Sequence, residues 1–177
     1  MLIALLLAAV AAPQTTPPPP APPPVDCNDS DHRAFDFWIG DWDVYAAGTE
    51  VKVAHSRIEK IVGCAISETY DQFFGGKGGK TVSYHGRSIS SYVPAGSAGA
   101  GGWQQYYVDS NGTAATLNGG ASDGGMVFLS KAGPVTNRMS LKPSPDGSVR
   151  QWGEFSTDDG KTWKPSYDFT YRKRAAP

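Results

Sequence analysis

The dominant pattern in this 177-residue chain is a series of short runs in which apolar and polar residues alternate. In Val51-Lys52-Val53, for example, the two valines share one face and the lysine points to the other, as in a half-buried strand. The runs are 42–45, 50–59, 65–70, 81–84, 87–93, 103–108, 113–117, 126–129, 138–142, 148–155 and 167–172. About ten strands at roughly 10 to 15 residue spacing predict an all-β sandwich or barrel. Sequential hairpins close most simply as an antiparallel up-and-down barrel of about 8 to 10 strands, which leaves no exposed edge.

Glycine, asparagine, aspartate and proline separate these runs. Asn111-Gly112 is the strongest hairpin signal, because this pair tolerates positive φ at both turn positions. Residues 75–81 are rich in glycine, but the first glycine of a phosphate-binding loop would fall at Phe74 and no helix pattern follows. We interpret 75–81 and 94–102 as flexible loops.

The first 26 residues have a different composition from the rest of the chain. Residues 1–12 contain one apolar run, too short to span a bilayer and followed by small residues, which indicates a signal peptide cleaved after Ala11 or Ala12. Residues 13–26 are rich in proline and predict an extended linker. The barrel domain is assigned to 27–174, with no membrane span after cleavage and a periplasmic or secreted location. No lipobox cysteine follows the apolar run, so no lipid anchor is expected.

Cys27 and Cys64 are the two cysteines of the chain. An even pair in an exported protein is normally a disulfide. Closing a loop of this length stabilises the fold by about 4 kcal/mol on the chain-entropy model. This bridge would join the N-terminal lead-in to the third strand. Two isolated cysteines without neighbouring histidines are a poor basis for a metal site.

A short helix is predicted just before the first strand. Asp29-Ser30-Asp31 precedes apolar residues at positions 34, 35, 37 and 38, the pattern of one or two helical turns. Such a helix can plug one end of a barrel.

The start of the first strand carries a resemblance to a known superfamily. Gly40-Asp41-Trp42 opens the strand after the short helix, and Tyr171-Arg172 lies in the last strand. This arrangement resembles the calycin superfamily, in which a lipocalin tryptophan of the first strand packs under an arginine from near the chain end. The resemblance implies that Arg172 or Arg174 lies over Trp42, a cation–π contact worth roughly 0.5 to 2 kcal/mol.

A wider pattern is similar to an uncharacterised family of exported bacterial proteins with a lipocalin-like fold. It comprises 35–44, 56–59, 63–65, Trp103, Gln105, 108–109 and 149–151. The resemblance covers most of residues 35–172. It brings no established activity or ligand, so it informs the fold far more than the function.

Residues 156–163 match the Asp-box pattern S-x-D-x-G-x-T-W. Sialidase propellers carry one such unit per blade, but this chain has a single copy and is far too short for a propeller. We therefore assign Asp158, Gly160 and Trp163 a structural role, in which the carboxylate binds the turn backbone and the tryptophan packs beneath it.

Charge and histidine content argue against several classes of function. The formal net charge is −1 and the only basic cluster is 172–174, so no nucleic-acid-binding stripe exists. His32, His55 and His85 do not pair at ligand spacing, and no metal or other cofactor is predicted. Calycin-like barrels that bind haem place the axial histidine late in the chain, whereas no histidine follows His85.

Glu68 and Glu154 are the candidate acid–base groups. Buried in a lumen, either carboxyl would have a raised pKa suited to proton transfer. The alternative places both on the solvent face, which the rarity of buried carboxylates favours. No catalytic residue is therefore assigned.

A barrel of this size has a lumen that can hold one small molecule. The faces Trp103-Gln105-Tyr107 and Arg150-Trp152-Glu154 mix aromatic surface with polar groups, although the sequence does not fix which parity faces inward. The predicted ligand-binding residues are Tyr92, Trp103, Gln105, Tyr107, Trp152 and Glu154. We expect an exported protein that binds a small, largely apolar molecule. The alternatives are a hydrolase- or isomerase-like enzyme that uses a lumenal glutamate with a histidine, and a cell-envelope interaction protein whose lumen is packed solid.

Overall fold

The computed structural model describes residues 24–73, 84–96 and 101–175, which contain ten antiparallel strands in one closed barrel. The strands are β1 (Gly40–Ala46), β2 (Lys52–Lys60), β3 (Ile66–Gln72), β4 (Tyr84–Val93), β5 (Gly102–Asp109), β6 (Ala114–Ser122), β7 (Gly125–Ala132), β8 (Val135–Pro143), β9 (Val149–Ser156) and β10 (Lys164–Lys173). Each strand pairs with its sequence neighbours, and β1 pairs with β10. This confirms the predicted all-β up-and-down, calycin-like barrel.

Several sequence predictions lie wholly or partly outside the described residues. These are the signal peptide at 1–12, most of the proline-rich segment, the loop at 75–81 and part of the loop at 94–102. Among the described helices, none is long and apolar enough to cross a membrane.

The predicted helix is confirmed and fills one end of the barrel. Helix α1 (Ser30–Arg33) is capped by Asp29, whose carboxylate accepts a 2.8 Å hydrogen bond from the backbone N–H of His32. A 3₁₀ turn at Asp36–Trp38 follows it. The rings of Phe35 and Trp38 stack with centroids 4.8 Å apart, and both side chains are fully buried in the lumen end. We call this the closed end.

The barrel closes where β1 meets β10, with Trp42 opposite Lys173 and Val44 opposite Tyr171. Directly paired residues point to the same face of a sheet, so the residue that covers Trp42 is Lys173. Its ammonium lies 3.9 Å from the Trp42 ring centroid and donates a 2.7 Å hydrogen bond to the carbonyl of Ile39.

The prediction of an arginine over Trp42 is therefore wrong by one residue. Arg172 points to the outer face, where it pairs with Glu50 at 2.6 Å and lies 4.4 Å from the Tyr45 ring centroid. Gly40 explains the tight seam: its φ is +148°, and a Cβ there would overlap the Lys173 ammonium.

The disulfide between Cys27 and Cys64 is confirmed, with 5.4 Å between the Cα atoms. Cys64 ends a 3₁₀ turn at Val62–Cys64, immediately before β3. The bridge thus ties the segment before α1 to the closed end of the barrel.

Strand β4 corrects the division of 81–84 and 87–93 into separate runs, because Tyr84–Val93 is one strand. Gly86 lies inside it rather than in a turn. A Cβ on Gly86 would lie 3.1 Å from the Tyr107 ring, so the glycine makes room for an aromatic side chain of the neighbouring strand.

The hairpin between β5 and β6 is present, but its turn is longer than the two-residue type. Positive φ occurs at Gly112 (83°) and not at Asn111. The Asp109 carboxylate accepts hydrogen bonds from the backbone N–H groups of Asn111 (2.9 Å) and Thr113 (3.0 Å), which stabilises the wider turn.

The Asp-box forms the β9–β10 hairpin. Asp158 accepts hydrogen bonds from the Thr162 hydroxyl (2.7 Å) and backbone N–H (2.9 Å) and from the Ser156 hydroxyl (2.7 Å). These bonds lower the pKa of the Asp158 carboxyl to about 2. Trp163 packs against Gly160, where an added Cβ would meet the indole at 3.4 Å.

Candidate functional site: an aromatic cavity with a buried carboxyl

The two ends of the lumen differ: inward side chains fill one end and surround a cavity at the other. On β5, Trp103 lies in the closed end, while Gln105 and Tyr107 point into a cavity of about 480 Å³ toward the opposite, open end. On β9, the inward residues include Gln151 and Gly153. The sequence did not fix which alternate residues of these strands face inward; on both strands they are the odd-numbered ones.

The wall of the cavity is aromatic. Its rings are those of Tyr70, Tyr84, Tyr107, Tyr167, Phe169 and Tyr171. Tyr167 fits because Gly153 lies beneath it: a Cβ on that residue would overlap the tyrosine ring. Tyr84 and Tyr107 are hydrogen-bonded through their hydroxyls, and the Tyr84 hydroxyl also donates to Asp109 at 3.0 Å.

Glu68 lies at the base of this cavity and is only 8% exposed. Alternation along β3 places Ile66, Glu68 and Tyr70 on the inner face. The Ser56 hydroxyl donates to Oε1 of Glu68 at 2.8 Å, and the Ser88 hydroxyl to Oε2 at 3.4 Å. Burial raises the pKa of the Glu68 carboxyl to about 7, although these hydrogen bonds oppose the shift. The solvent-facing alternative is therefore wrong for Glu68.

The other polar groups at the base are neutral and hydrogen-bonded. The Tyr171 hydroxyl donates to Oε1 of Gln151 at 2.6 Å, and Nε2 of Gln151 lies 3.1 Å from the sulfur of Met139. Nε2 of Gln105 donates to the Ser90 hydroxyl at 3.0 Å. Within the described part of the barrel, the base thus offers hydrogen-bonding groups and no positively charged side chain in contact with Glu68.

Glu154 lies at the mouth rather than at the base. Its carboxylate accepts hydrogen bonds from Nε (3.0 Å) and Nη2 (2.8 Å) of Arg138, and the guanidinium lies 3.9 Å from the Trp163 ring centroid. The Glu154 side chain is 23% exposed. It is an ion-paired rim residue, so it differs from Glu68 in both burial and charge balance.

The predicted ligand-binding residues fall into three places. Gln105 and Tyr107 point into the cavity, and Glu154 contributes to its rim. Tyr92 and Trp103 lie at the closed end, where their side chains donate hydrogen bonds to the Asp31 carboxylate and carbonyl, each at 3.0 Å. Trp152 lies on the outer face beneath Arg150, whose guanidinium is 4.8 Å from its ring centroid. The last three residues do not line the cavity, which corrects the expected placement.

None of the three histidines lines the cavity. Nδ1 of His32 contacts Asp29 (2.7 Å), that of His55 contacts Asp43 (2.8 Å), and that of His85 contacts Asp71 (2.8 Å). The glutamate–histidine pair of the enzymatic alternative is therefore not assembled. Within the described ranges, no three histidine, cysteine or acidic side chains are grouped in a way that would hold a metal ion.

Sequence reasoning missed most of the aromatic wall, although one signal for it was present. Tyr167, Phe169 and Tyr171 alternate along β10, so a single face of that strand carries three aromatic rings. The cavity that these rings help to form combines an apolar wall, a buried carboxyl and a charge-paired mouth. No protein-family model and no curated protein sequence matches this chain.

Proposed function

We propose that this protein binds one small, largely apolar molecule in the open end of the barrel. The observation that carries the proposal is the cavity of about 480 Å³, with six aromatic rings around it and a few hydrogen-bonding groups at its base. Ligand sites are typically concave and of roughly 300 to 1,000 Å³, with an apolar lining and a small number of polar groups that orient the ligand. The cavity has each of these properties.

The two alternatives have less support. An enzyme that pairs a lumenal glutamate with histidine lacks the histidine, since none lines the cavity. A protein that works only through its outer face is expected to have a lumen packed solid with side chains, whereas this barrel contains a cavity of about 480 Å³.

Binding can be tested with N-phenyl-1-naphthylamine, a neutral dye that fluoresces in apolar surroundings. Ala115 lines the cavity, so Ala115→Trp places an indole in the space that the dye would occupy. Thr116→Trp is the matched control, because Thr116 is the next residue of β6 and is exposed. We expect saturable dye binding that is lost in Ala115→Trp and kept in Thr116→Trp. Absence of saturable binding to the wild type, or equal binding by both variants, would refute the proposal.

We further propose that the domain works outside the cytoplasm and is related to the exported calycin-like family that its first-strand motif resembles. The Cys27–Cys64 disulfide supports this location, because structural disulfides persist in oxidising compartments. Fractionation of expressing cells, followed by intact-mass measurement, tests it. We expect an oxidised protein outside the cytoplasm that begins at Ala12 or Pro13. A full-length, reduced protein in the cytoplasmic fraction would contradict the proposal.

A further inference from the structure

We infer that the cavity selects an organic cation: a ligand whose ammonium group pairs with Glu68 while its apolar body lies along the aromatic wall. This inference rests on the proposed binding function and adds the chemical class of the ligand. It starts from the charge balance at the base of the cavity.

Glu68 is a buried carboxyl, and among the residues that the structure describes no cationic side chain contacts it inside the barrel. The hydroxyl groups of Ser56 and Ser88 donate hydrogen bonds to it. Each carboxylate oxygen can accept more than one hydrogen bond, so both keep acceptor capacity toward the cavity. Buried carboxylates are normally paired with a positive charge. An ammonium group would supply both that charge and the missing donors.

The wall above Glu68 is suited to the same group. Tyr70 is in contact with Tyr84 and Phe169, at centroid distances of 6.2 and 6.4 Å, and Phe169 stacks on Tyr167 at 5.4 Å. The rings form a continuous surface whose electron-rich faces attract cations. A carboxylate at the end of such a surface provides both recognition elements in one cavity.

Other ligand classes fit the base less well. Among the cavity-lining residues that the structure describes, Arg138 is the one cation, and its guanidinium is bound to Glu154 at the mouth. A carboxylate or phosphate ligand would therefore meet Glu68 without a compensating charge. A neutral alcohol could form a hydrogen bond there but could not neutralise the ionised form. The expected order of affinity is amine, then alcohol, then carboxylate.

The pairing makes amine affinity depend on pH. The groups that face Glu68 are Ser56 of β2, Tyr70 of β3, Ser88 and Tyr84 of β4, Tyr107 of β5, and Tyr167 and Tyr171 of β10, while Arg87 acts from the outer side of β4. Burial raises the pKa of all five tyrosines, so they stay protonated near neutrality. Glu68 is the group among them that titrates near pH 7. Since an amine binds its ionised form, amine affinity should fall about tenfold from pH 8 to pH 6.

Three probes of one shape test the inference: 2-phenylethylamine, 2-phenylethanol and 3-phenylpropanoate, titrated calorimetrically at pH 8. We expect the amine to bind at least about tenfold more tightly than the alcohol, with the carboxylate weakest. Glu68→Gln should remove the preference for the amine over the alcohol. Glu59→Gln is the matched control, because it makes the same chemical change at an exposed position of β2.

The possible results separate the inference from the binding function on which it rests. If the neutral dye and the alcohol bind but the amine has no advantage, the cation inference is overturned and the binding function stands. If neither the dye nor any probe binds, the binding function fails and the inference fails with it. If Glu68→Gln does not fold, wild-type affinities at pH 6 and pH 8 decide. A pH-independent amine affinity would overturn the inference, and a loss confined to the amine would support it.

Discussion

Glu68 is the residue at which folding has the largest effect on ionisation near neutral pH. Its carboxyl has a pKa of about 7 in the folded protein, against an ordinary value of 4.5, because burial disfavours the charge. Between these values the folded state binds more protons than the unfolded state. The contribution of this carboxyl to the free energy of unfolding is therefore most favourable below pH 4.5 and is lost as the pH rises through 7.

Glu68→Gln should remove this pH dependence. We expect the free energy of unfolding of the wild type, relative to the glutamine variant, to fall by about 3 kcal/mol between pH 4.5 and pH 8. Urea denaturation of both proteins at the two pH values measures this difference. The glutamine variant serves as the reference at each pH, because it lacks the titrating carboxyl. An identical difference at both values would contradict the assignment of a raised pKa to Glu68.

Lys173 provides a second test at the scale of one residue. Lys173→Met keeps the chain length but removes the charge over Trp42 and the hydrogen bond to Ile39. We expect it to lower the free energy of unfolding by about 1 to 2 kcal/mol. Arg172→Met is the control, because Arg172 pairs with an 81% exposed Glu50, and ion pairs in solvent contribute little to stability. Equal losses of free energy of unfolding in the two variants would mean that the contact between Lys173 and Trp42 stabilises the fold no more than an exposed ion pair does.

At the scale of elements, the Cys27–Cys64 bridge restrains the segment before α1. Because the two cysteines are 37 positions apart in the sequence, replacing both by serine should lower the free energy of unfolding by up to about 4 kcal/mol. Dye affinity should stay unchanged, since the bridge lies at the closed end. Urea denaturation and dye titration of the double variant measure the two effects. A loss of affinity at a pH and temperature where the variant is fully folded would show that the closed end shapes the cavity.

The strands could be predicted from alternation, but the faces they present could not. Both faces of β9 carry large residues, and only pairing with neighbouring strands shows that Gln151 points inward and Trp152 outward. The same limit applies to Glu68, whose partners Ser56 and Ser88 lie 12 and 20 residues away along the chain. The register between β1 and β10 decides which cation covers Trp42. A motif limited to the first strand can therefore predict the residue of β10 that covers Trp42 only to within one position.

At the scale of the whole molecule, the barrel divides its lumen between stability and binding. Large side chains such as those of Phe35, Trp38, Trp103 and Phe128 fill the closed end and are almost completely buried. The open end keeps a cavity of about 480 Å³. Burial of apolar surface stabilises the fold where packing is complete, whereas an unfilled cavity forgoes some of those contacts and leaves room for a ligand.

Substitutions at the two ends should therefore have opposite effects. Phe128→Ala removes a fully buried ring from the closed end, so we expect a loss of about 3 to 5 kcal/mol in the free energy of unfolding. Dye affinity should stay within about twofold when measured well below the unfolding temperature. Ala115→Trp should abolish dye binding and change the free energy of unfolding by less than about 1.5 kcal/mol, because the indole enters open space. If both substitutions changed stability and affinity together, the lumen would behave as one cooperative unit, and the division of roles between its two ends would be wrong.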